Sequence, residues 1–545
     1  MPVHPTSKKV IDRYNSLKTK RQTWESHWQE CADYMMPRKA DITKSRSQGD
    51  KRTEFIFDGT ATHALELLAA SLHGMLTSTS SPWFYLKFKN KINNNPYNQF
   101  DTDLNDNDDA VQWLEKCTNI TNQAFNRSNF QQEIFELYHD LITFGTAALF
   151  ITEDIEDDLR FKNIHISEIF ITEDERGVVD SLTRKFKLKA RNIPSMFDPK
   201  NITPQLKSII EKSPEEDVVL LHSVYPNSEY VEPGSNKKFI SCYVHESSGA
   251  LLSEKGFADF PYAVPRYLKS SNEIYGRSPA MNALPDVKML NTMCKTSIRA
   301  AQKQIDPPLM VPDDGFVMPI RTVPGGLNYY RSGTRDRIEP LNIGANNPVG
   351  IQMEEQRRKA VRENFFVDQL MMQNGPQMTA TEVVQRNEEK MRILGPVLGR
   401  LQSELLQPLI TRCFNILMKN KKFPEMPQAL GATQIEIEYV SPLAKAQKTG
   451  ELQALMRGFE IFGQLQNVAP VMDYLNTDVI VTYVKDVLGF PAKILKTKSQ
   501  VGQIRQQRQI QQQQQAQAQQ QQHMAELANK AAPAVKALND SGNKQ

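Results

Sequence analysis

No Gly-Lys dipeptide occurs anywhere in the sequence, so it has no Walker A loop and is not a P-loop ATPase. There is likewise no GxSxG elbow, no HExxH, no CxxC and no GxGxxG after a strand-like run. Carboxylates are plentiful but unpatterned, and number alone does not make a general acid/base pair. The reading is a chain that is not an enzyme, with no catalytic, cofactor-binding or metal-binding residues and no cofactor. Long apolar runs are missing too. The longest mostly apolar run, LITFGTAALFI at 141–151, falls far short of the roughly 18 residues that span a bilayer, so no membrane is expected among the partners. The N-terminal segment has no apolar h-region, which makes a cytoplasmic origin the default. Cysteine is scarce. Cys31, Cys117, Cys242, Cys294 and Cys413 are odd in number and scattered, which suggests buried, reduced thiols and neither a disulfide framework nor a metal site.

Net basic charge is also small over most of the chain. The 545 residues carry 66 Lys+Arg against 63 Asp+Glu, a net of +3. From Lys493 onward eight Lys/Arg face only Glu526 and Asp540, a net of +6, which leaves residues 1–492 at −3. A protein that grips nucleic acid shows a basic footprint on its folded part. This one does not.

What is present is a mainly helical α+β pattern. Residues 8–36 read as a helix through Trp24, Trp28, Cys31 and Met35, stopped by Pro37. Residues 57–77 form a second helix with a Leu65, Leu68, Leu72, Leu76 stripe, capped by Asp58 or Thr60. His63 and His73 on it lack any metal-ligand spacing. SPWFYLKFKN alternates as a half-buried strand, its aromatics in the core. The acidic run from Asp101 fails as a calcium loop, with Asp106 where glycine is needed and Gln112 where a bidentate glutamate is needed. Helices are expected at 109–127 and 135–150, then strands over 151–270. Ser278-Pro279 opens a helix that Asp306-Pro307-Pro308 closes, and Asn347-Pro348 opens another that runs to Gln373. Two such helices of ~40 Å, at ~1.5 Å per residue, suggest an antiparallel stalk with a Pro/Gly-rich lobe at 306–347. Thr379 and Glu382 form a capping box for a long helix over 379–417, whose stripe includes Met391, Leu394, Leu398, Leu401 and Leu405. Gly395, Pro396 and Pro408 mark kinks in it. The Gln-rich stretch after 493 lacks an apolar stripe and reads as disordered, or helical only when assembled.

The segments ATHALELLAASLHGMLTSTSSPWF, FGTAALF, EIYGRSPAMNALPDVKMLN, TATEVVQRNEEKMRILGPVLGRLQSELLQPLI and YVSPLAKAQ together resemble the head-to-tail connector, or portal, family of short-tailed bacteriophages (podoviruses). They lie in the family's order over roughly residues 10–490. The resemblance implies a ring of about twelve copies at the capsid vertex of the virion, made in the host cytoplasm, which nucleates procapsid assembly and conducts double-stranded DNA during packaging and ejection. It implies a wing at 1–277, stem helices at 278–305 and 348–373, a clip at 306–347, and a channel loop at 374–378 (Asn374, Gly375, Pro376, Gln377, Met378). The long kinked helix and a return strand of the wing follow at 379–444, then a helical crown at 445–492 and the tail at 493–545. Stem candidates facing the channel are Lys295, Arg299, Lys303, Arg358 and Arg362, and clip candidates for docking are Phe316, Arg321, Tyr329, Tyr330 and Arg331. Implied partners are the terminase large subunit, a tail adaptor or tube protein, the major capsid and scaffolding proteins, and internal core proteins. Two other readings stand beside this one: an unrecognised nucleic-acid-processing enzyme, and an assembly scaffold that binds no DNA.

Overall fold

The computed structural model describes residues 4–47, 49–79, 83–88, 108–227, 237–311, 320–321, 327, 329, 338–341, 348–370, 394–427, 437–440, 455–462, 480–481, 484 and 498–542. The chain divides into two compact units, one of Met1–Trp83 with Thr121–Lys422 and one of Phe84–Ile120 with Phe423–Gln545.

In the first unit, α1 (Pro5–Met35) starts with proline at its first turn and ends ahead of Pro37. Its N-terminal half lays Val10, Tyr14 and Leu17 on one face of a sheet, against Phe170, Leu221, Tyr225 and Cys242. Its C-terminal half buries Trp28, Cys31 and Met35 completely, as their spacing predicts. In α2 (Thr60–Leu76) the expected leucine stripe is buried, but the cap differs from the expectation. Gly59 is the capping residue, and Asp58, one position earlier, takes the Thr60 N–H on its carboxylate at 2.9 Å. The strand β1 (Tyr85–Phe88) belongs to the second unit. Helix α3 (Asp108–Arg127) agrees with the expected span.

Helix α4 (Phe130–Phe144) does not run to 150. Gly145 ends it in the left-handed region, φ 76°, and residues read as the last turn instead form β2 (Ala148–Asp154). The apolar run could be read either way, and the glycine decided it. β2 pairs antiparallel with β3 (Asp158–Ile164) and later with β9 (Tyr262–Ala263). A five-stranded antiparallel meander follows: β4 (Ile169–Glu173), β5 (Val179–Lys189), β6 (Asp217–Pro226), β7 (Phe239–His245) and β8 (Leu251–Phe257). Between β5 and β6, α5 (Ile193–Met196) and α6 (Pro204–Lys212) cover Val218, Leu220 and Leu252 with Ile193, Phe197 and Leu206. His222 joins the two sheets. Its ring contacts Ser241 Oγ at 2.9 Å and Tyr262 Oη at 2.8 Å and stacks on Tyr243 at 4.1 Å. Burial, with Arg184 nearby, lowers its pKa to about 3, so it is a neutral structural histidine.

Helix α7 (Pro279–Ile305) has the span the sequence predicts, and it accommodates Pro285 on its exposed side, which the sequence reading passed over. β10 (Leu309–Met310) pairs with β11 (Glu339–Pro340), the described part of the 306–347 lobe. Helix α8 (Pro348–Asn364) stops well short of Gln373. Phe366 takes φ 58°, which breaks the helix before the short α9 (Val367–Leu370) and lets Phe365 and Val367 both be buried. The two long helices are therefore 27 and 17 residues, not near-equal. Residues 374–378 and Thr379–Met391 lie outside the described residues.

The long helix is described from Leu394. Helix α10 (394–401) continues through a π-helical turn, Gln402–Leu406, into α11 (Gln407–Lys419). Pro408 cannot donate to Glu404, and the interruption expected there takes the form of this π turn. In the second unit β12 (Ile437–Val440) pairs antiparallel with β1, and Trp113 donates its indole N–H to Pro424 O at 3.0 Å. In the tail, expected to be disordered or helical only when assembled, Lys498–Gly542 is one helix of 45 residues. Gln, Ala, Met and Leu are good helix formers, and local propensity favours the helix without an apolar packing stripe. All five cysteines are free and buried.

At the joint between α4 and α7 two glycines stand closer to neighbouring backbone than any other described glycine. A Cβ on Gly145 would meet Gly276 O at 2.2 Å, and one on Gly276 would meet Gly145 O at the same distance. Gly145→Ala is therefore expected to lose about 3 kcal/mol or more of stability in denaturant unfolding. A Cβ on Gly177, also at positive φ (77°), would come nearest only to the flexible end of Lys269, at 3.1 Å, and Gly177→Ala should lose about 1–2 kcal/mol. Equal losses would show that the close approach does not matter.

Candidate functional site

Helices α7 and α8 form the candidate site, an antiparallel pair rooted in the first unit. Ser278 Oγ accepts the Met281 N–H at 3.0 Å and donates to Thr143 O at 2.9 Å, which caps α7 and ties its start to the end of α4. The first half of α7 buries Ala283, Leu284, Val287, Leu290 and Cys294 on one face. Asn291 fixes the segment before α2 with a reciprocal amide pair, donating to Phe55 O at 2.6 Å and accepting from Phe57 N–H at 2.7 Å.

The cations of the two helices are used differently. On α8, Arg357 pairs with Asp286 at 2.8 Å, and Arg358 Nε reaches Asp58 at 3.0 Å while its Nη2 reaches Glu354 at 3.4 Å. Glu354, 8% exposed, also accepts the Ser297 hydroxyl. Arg362 and Lys359 lie at 3.8 and 3.9 Å from Glu355 and Glu363. Burial by itself would raise the Asp58 pKa, but hydrogen bonds from Thr60 and Arg358 and the Arg358 charge outweigh it and hold the carboxyl below its ordinary value. The Cys294 thiol beside this cluster is pushed up to about 11 by burial and by the Asp58 and Glu354 charges, so it is no nucleophile.

On α7 the opposite holds. From Val287 to Ile305 the helix has no carboxylate. Lys295, Arg299 and Lys303 recur every four residues on the side away from the buried face, and none of them makes an ion pair among the described residues. Lys295 does lie 5.2 Å over the Phe57 ring. Toward the far end of the pair, apolar side chains lose their cover: Ile298 is 44% exposed, Ile305 85%, Val349 62%, Ile351 68% and Met353 43%.

Of the sequence candidates, Lys295, Arg299 and Lys303 thus share a stripe without ion pairs among the described residues, Arg358 is tied to Asp58 and Glu354, and Arg362 lies near Glu355. Arg321 and Tyr329 are exposed; Phe316, Tyr330, Arg331 and the 374–378 loop lie outside the described residues. Gly395 and Pro396 sit at the start of the described part of α10, with nothing near a Cβ built on Gly395. Among the described residues no cluster could hold a metal ion, and no helix is long and apolar enough to cross a membrane.

Sequence reasoning missed a buried clamp that supports the pair from behind. Arg266, 1% exposed, meets Glu404 through its backbone N–H at 2.9 Å, its Nε at 3.1 Å and its Nη2 at 2.7 Å. It also pairs with Glu173 and donates to Gly177 O at 2.8 Å, while Lys269 holds the other oxygen of Glu173. The signal was legible: Glu404 lies three residues after Leu401 and next to Leu405, an acid on a buried stripe that requires a cation.

The family described as "Bacteriophage head to tail connecting protein" matches residues 7–495. The chain is 31% identical over 518 residues to the "Probable portal protein" of Bordetella phage BPP-1, covering 92% of this chain and 91% of the relative. It is 30% identical over 515 residues to the "Portal protein" of Salmonella phage epsilon15, covering 92% and 90%. With the "Portal protein" of Escherichia phage T7 it shares 21% identity over 535 residues, 97% and 96% of the two chains.

Two expected outcomes test this geometry. Glu404→Ala leaves Arg266 short of a partner and should destabilise by about 3–5 kcal/mol, and the Arg266→Met/Glu404→Leu pair should recover much of that loss in urea unfolding, because neither charge is then stranded. A double variant no better than the single one would contradict the clamp. For Asp58, whose folded pKa lies below its unfolded value, the stabilisation is present above the unfolded pKa and is lost as pH falls through the folded one. Acid titration of stability should therefore be flatter below about pH 4 in Asp58→Asn than in the wild type.

Proposed function

The chain belongs to the bacteriophage head-to-tail connecting protein family and is a portal protein of the virion head-tail junction, a structural component and not an enzyme; on that premise we propose that it works as a closed ring of about twelve copies through which double-stranded DNA passes. The observation that carries this reading is the exposure along the α7/α8 pair. A helix pair with an apolar stripe buried at its root and bare at its far end, through Ile298, Ile305 and Ile351, needs a neighbour to cover it. Identical neighbours about one axis supply that cover for every copy.

In this reading α7 and α8 are the stem, the 306–347 lobe is the clip that meets the terminase and then the tail adaptor, and 374–378 is the loop that projects into the channel. The α+β part up to 277 is the wing, and 445–492 the crown. The unpaired stripe of Lys295, Arg299 and Lys303 faces the channel, where it balances DNA phosphates without the dense basic footprint that would hold the duplex still. Arg358 is excluded from that role by its ties to Asp58 and Glu354. Capsid, scaffolding and core proteins contact the outer surface.

Purified protein should give particles near twelve times 62.1 kDa with a central hole in negative stain. A species that stays monomeric at high concentration would overturn the ring. Replacing Lys295, Arg299 and Lys303 together by Gln should leave rings intact and make DNA packaging less sensitive to salt, with the slope against log salt reduced. An unchanged salt response would place the stripe away from the channel.

A further inference from the structure

The tail helix, Lys498–Gly542, has almost no covered face in its first half. Among the described side chains there, only Val501 and Ile504 are half-buried, and every one from Arg505 to Met524 is exposed. Between Ile510 and Met524 the residues are all glutamine apart from Ala516, Ala518 and His523. A helix that is polar all round holds in water only with many ion pairs between residues four apart. This one cannot form them. From Lys493 to Ala525 the chain has five cations, Lys493, Lys496, Lys498, Arg505 and Arg508, and no carboxylate. Most helical stability in proteins comes from packing a face against something else, and here that face is left for a partner outside the chain.

The chemistry of this surface selects the partner. A coiled-coil neighbour needs apolar residues about every 3.5 positions, and a lipid surface needs an apolar face. Val501, Ile504 and Ile510 supply neither, since at ~100° per residue Ile510 points away from the other two positions. Lys498, Arg505 and Arg508 instead fall within one arc of ~80°, and Arg505 and Arg508 are exposed. An arc of one charge sign suits a polyanion. The glutamines add amides that both donate and accept, the chemistry that pairs with phosphate oxygens and base edges. The helix is ~67 Å long at ~1.5 Å per residue and about 10–12 Å across, against a B-DNA major groove about 12 Å wide and a helical repeat of about 34 Å. The major groove of A-form RNA is too narrow for it. We propose that the tail helix binds double-stranded DNA, with Lys498, Arg505 and Arg508 on phosphates and the glutamines following the groove. This contact is separate from the stripe on α7 and does not rest on the channel reading.

Covalently closed circular DNA distinguishes the two, because a duplex without ends cannot be threaded through a ring. The full-length chain should bind it with an affinity that falls as salt rises. Lys498→Gln, Arg505→Gln and Arg508→Gln made together keep good helix formers in place. They should weaken binding about tenfold or more and lower the slope against log salt by ~2–3, at ~0.9 per lost phosphate contact. Backbone amides over 498–524 should also exchange more slowly once the DNA is added. An unchanged affinity and slope in the triple variant, or no binding of circular DNA by the wild type, would overturn the inference and leave the DNA channel standing. Polyglutamate bound as tightly as the DNA would overturn it as well, in favour of an acidic protein surface.

Discussion

Arg266 holds its charge almost wholly out of water between two carboxylates drawn from distant parts of the chain, Glu173 at the end of β4 and Glu404 in the π turn between α10 and α11. A buried charge is tolerated only when it is paired and hydrogen-bonded. That requirement orders much of the first unit. The meander must deliver Glu173, the segment after β9 must deliver Arg266, and the long helix must widen by a π turn where Glu404 looks inward. Lys269 and Arg400 then complete the charge balance from either side. Tyr267 is the next residue, and Leu268 bridges to Arg277 just ahead of α7, so the clamp lies close to the root of the helix pair.

Local chemistry in the sequence was enough wherever a boundary is set by one residue's backbone. Ser278-Pro279 opens α7 and Asp306 closes it because capping and the missing proline N–H act on neighbours alone. The stripes of α1 and α2 were equally legible. What failed was decided at a distance. The FGTAALF run reads as the end of a helix, but Gly145 stops that helix and pairing with β3 and β9 makes the following residues a strand. Phe365 and Val367 both find burial only if Phe366 turns left-handed, which no periodicity announces. Asp58 looked like a cap and is also the partner of Arg358, some 300 residues on. The candidate stem residues were a mixture for the same reason: charge type is visible in a sequence, whereas the partner that neutralises it is not.

Between α7 and α8 the division of charge has a simple physical logic. Cations on α8 are matched by Asp286, Asp58, Glu354, Glu355 and Glu363, so they fix the spacing and register of the pair and have little field left to offer outward. On α7, Lys288 pairs with Glu30 at 3.1 Å, whereas Lys295, Arg299 and Lys303 have no ion-pair partner among the described residues and follow one another at about one turn, so their field is directed outward.

The crossing of Gly145 and Gly276 gives this pair a mechanical property. Here two stretches of chain touch backbone to backbone, with Tyr267 N–H bonded to Gly145 O at 2.9 Å, Gly276 N–H to Thr146 Oγ1 at 2.8 Å, and the cap of α7 bonded to Thr143 O. Where Gly145 meets Gly276 no side chain lies between the two backbones. In the proposed ring, a push along the axis of α7 meets α4 and β2 first through this backbone contact, and peptide planes are far stiffer than packed side chains that can hop between rotamers. The joint behaves as a welded corner, and the strain it receives is passed into the sheets without being absorbed at the root of the helix.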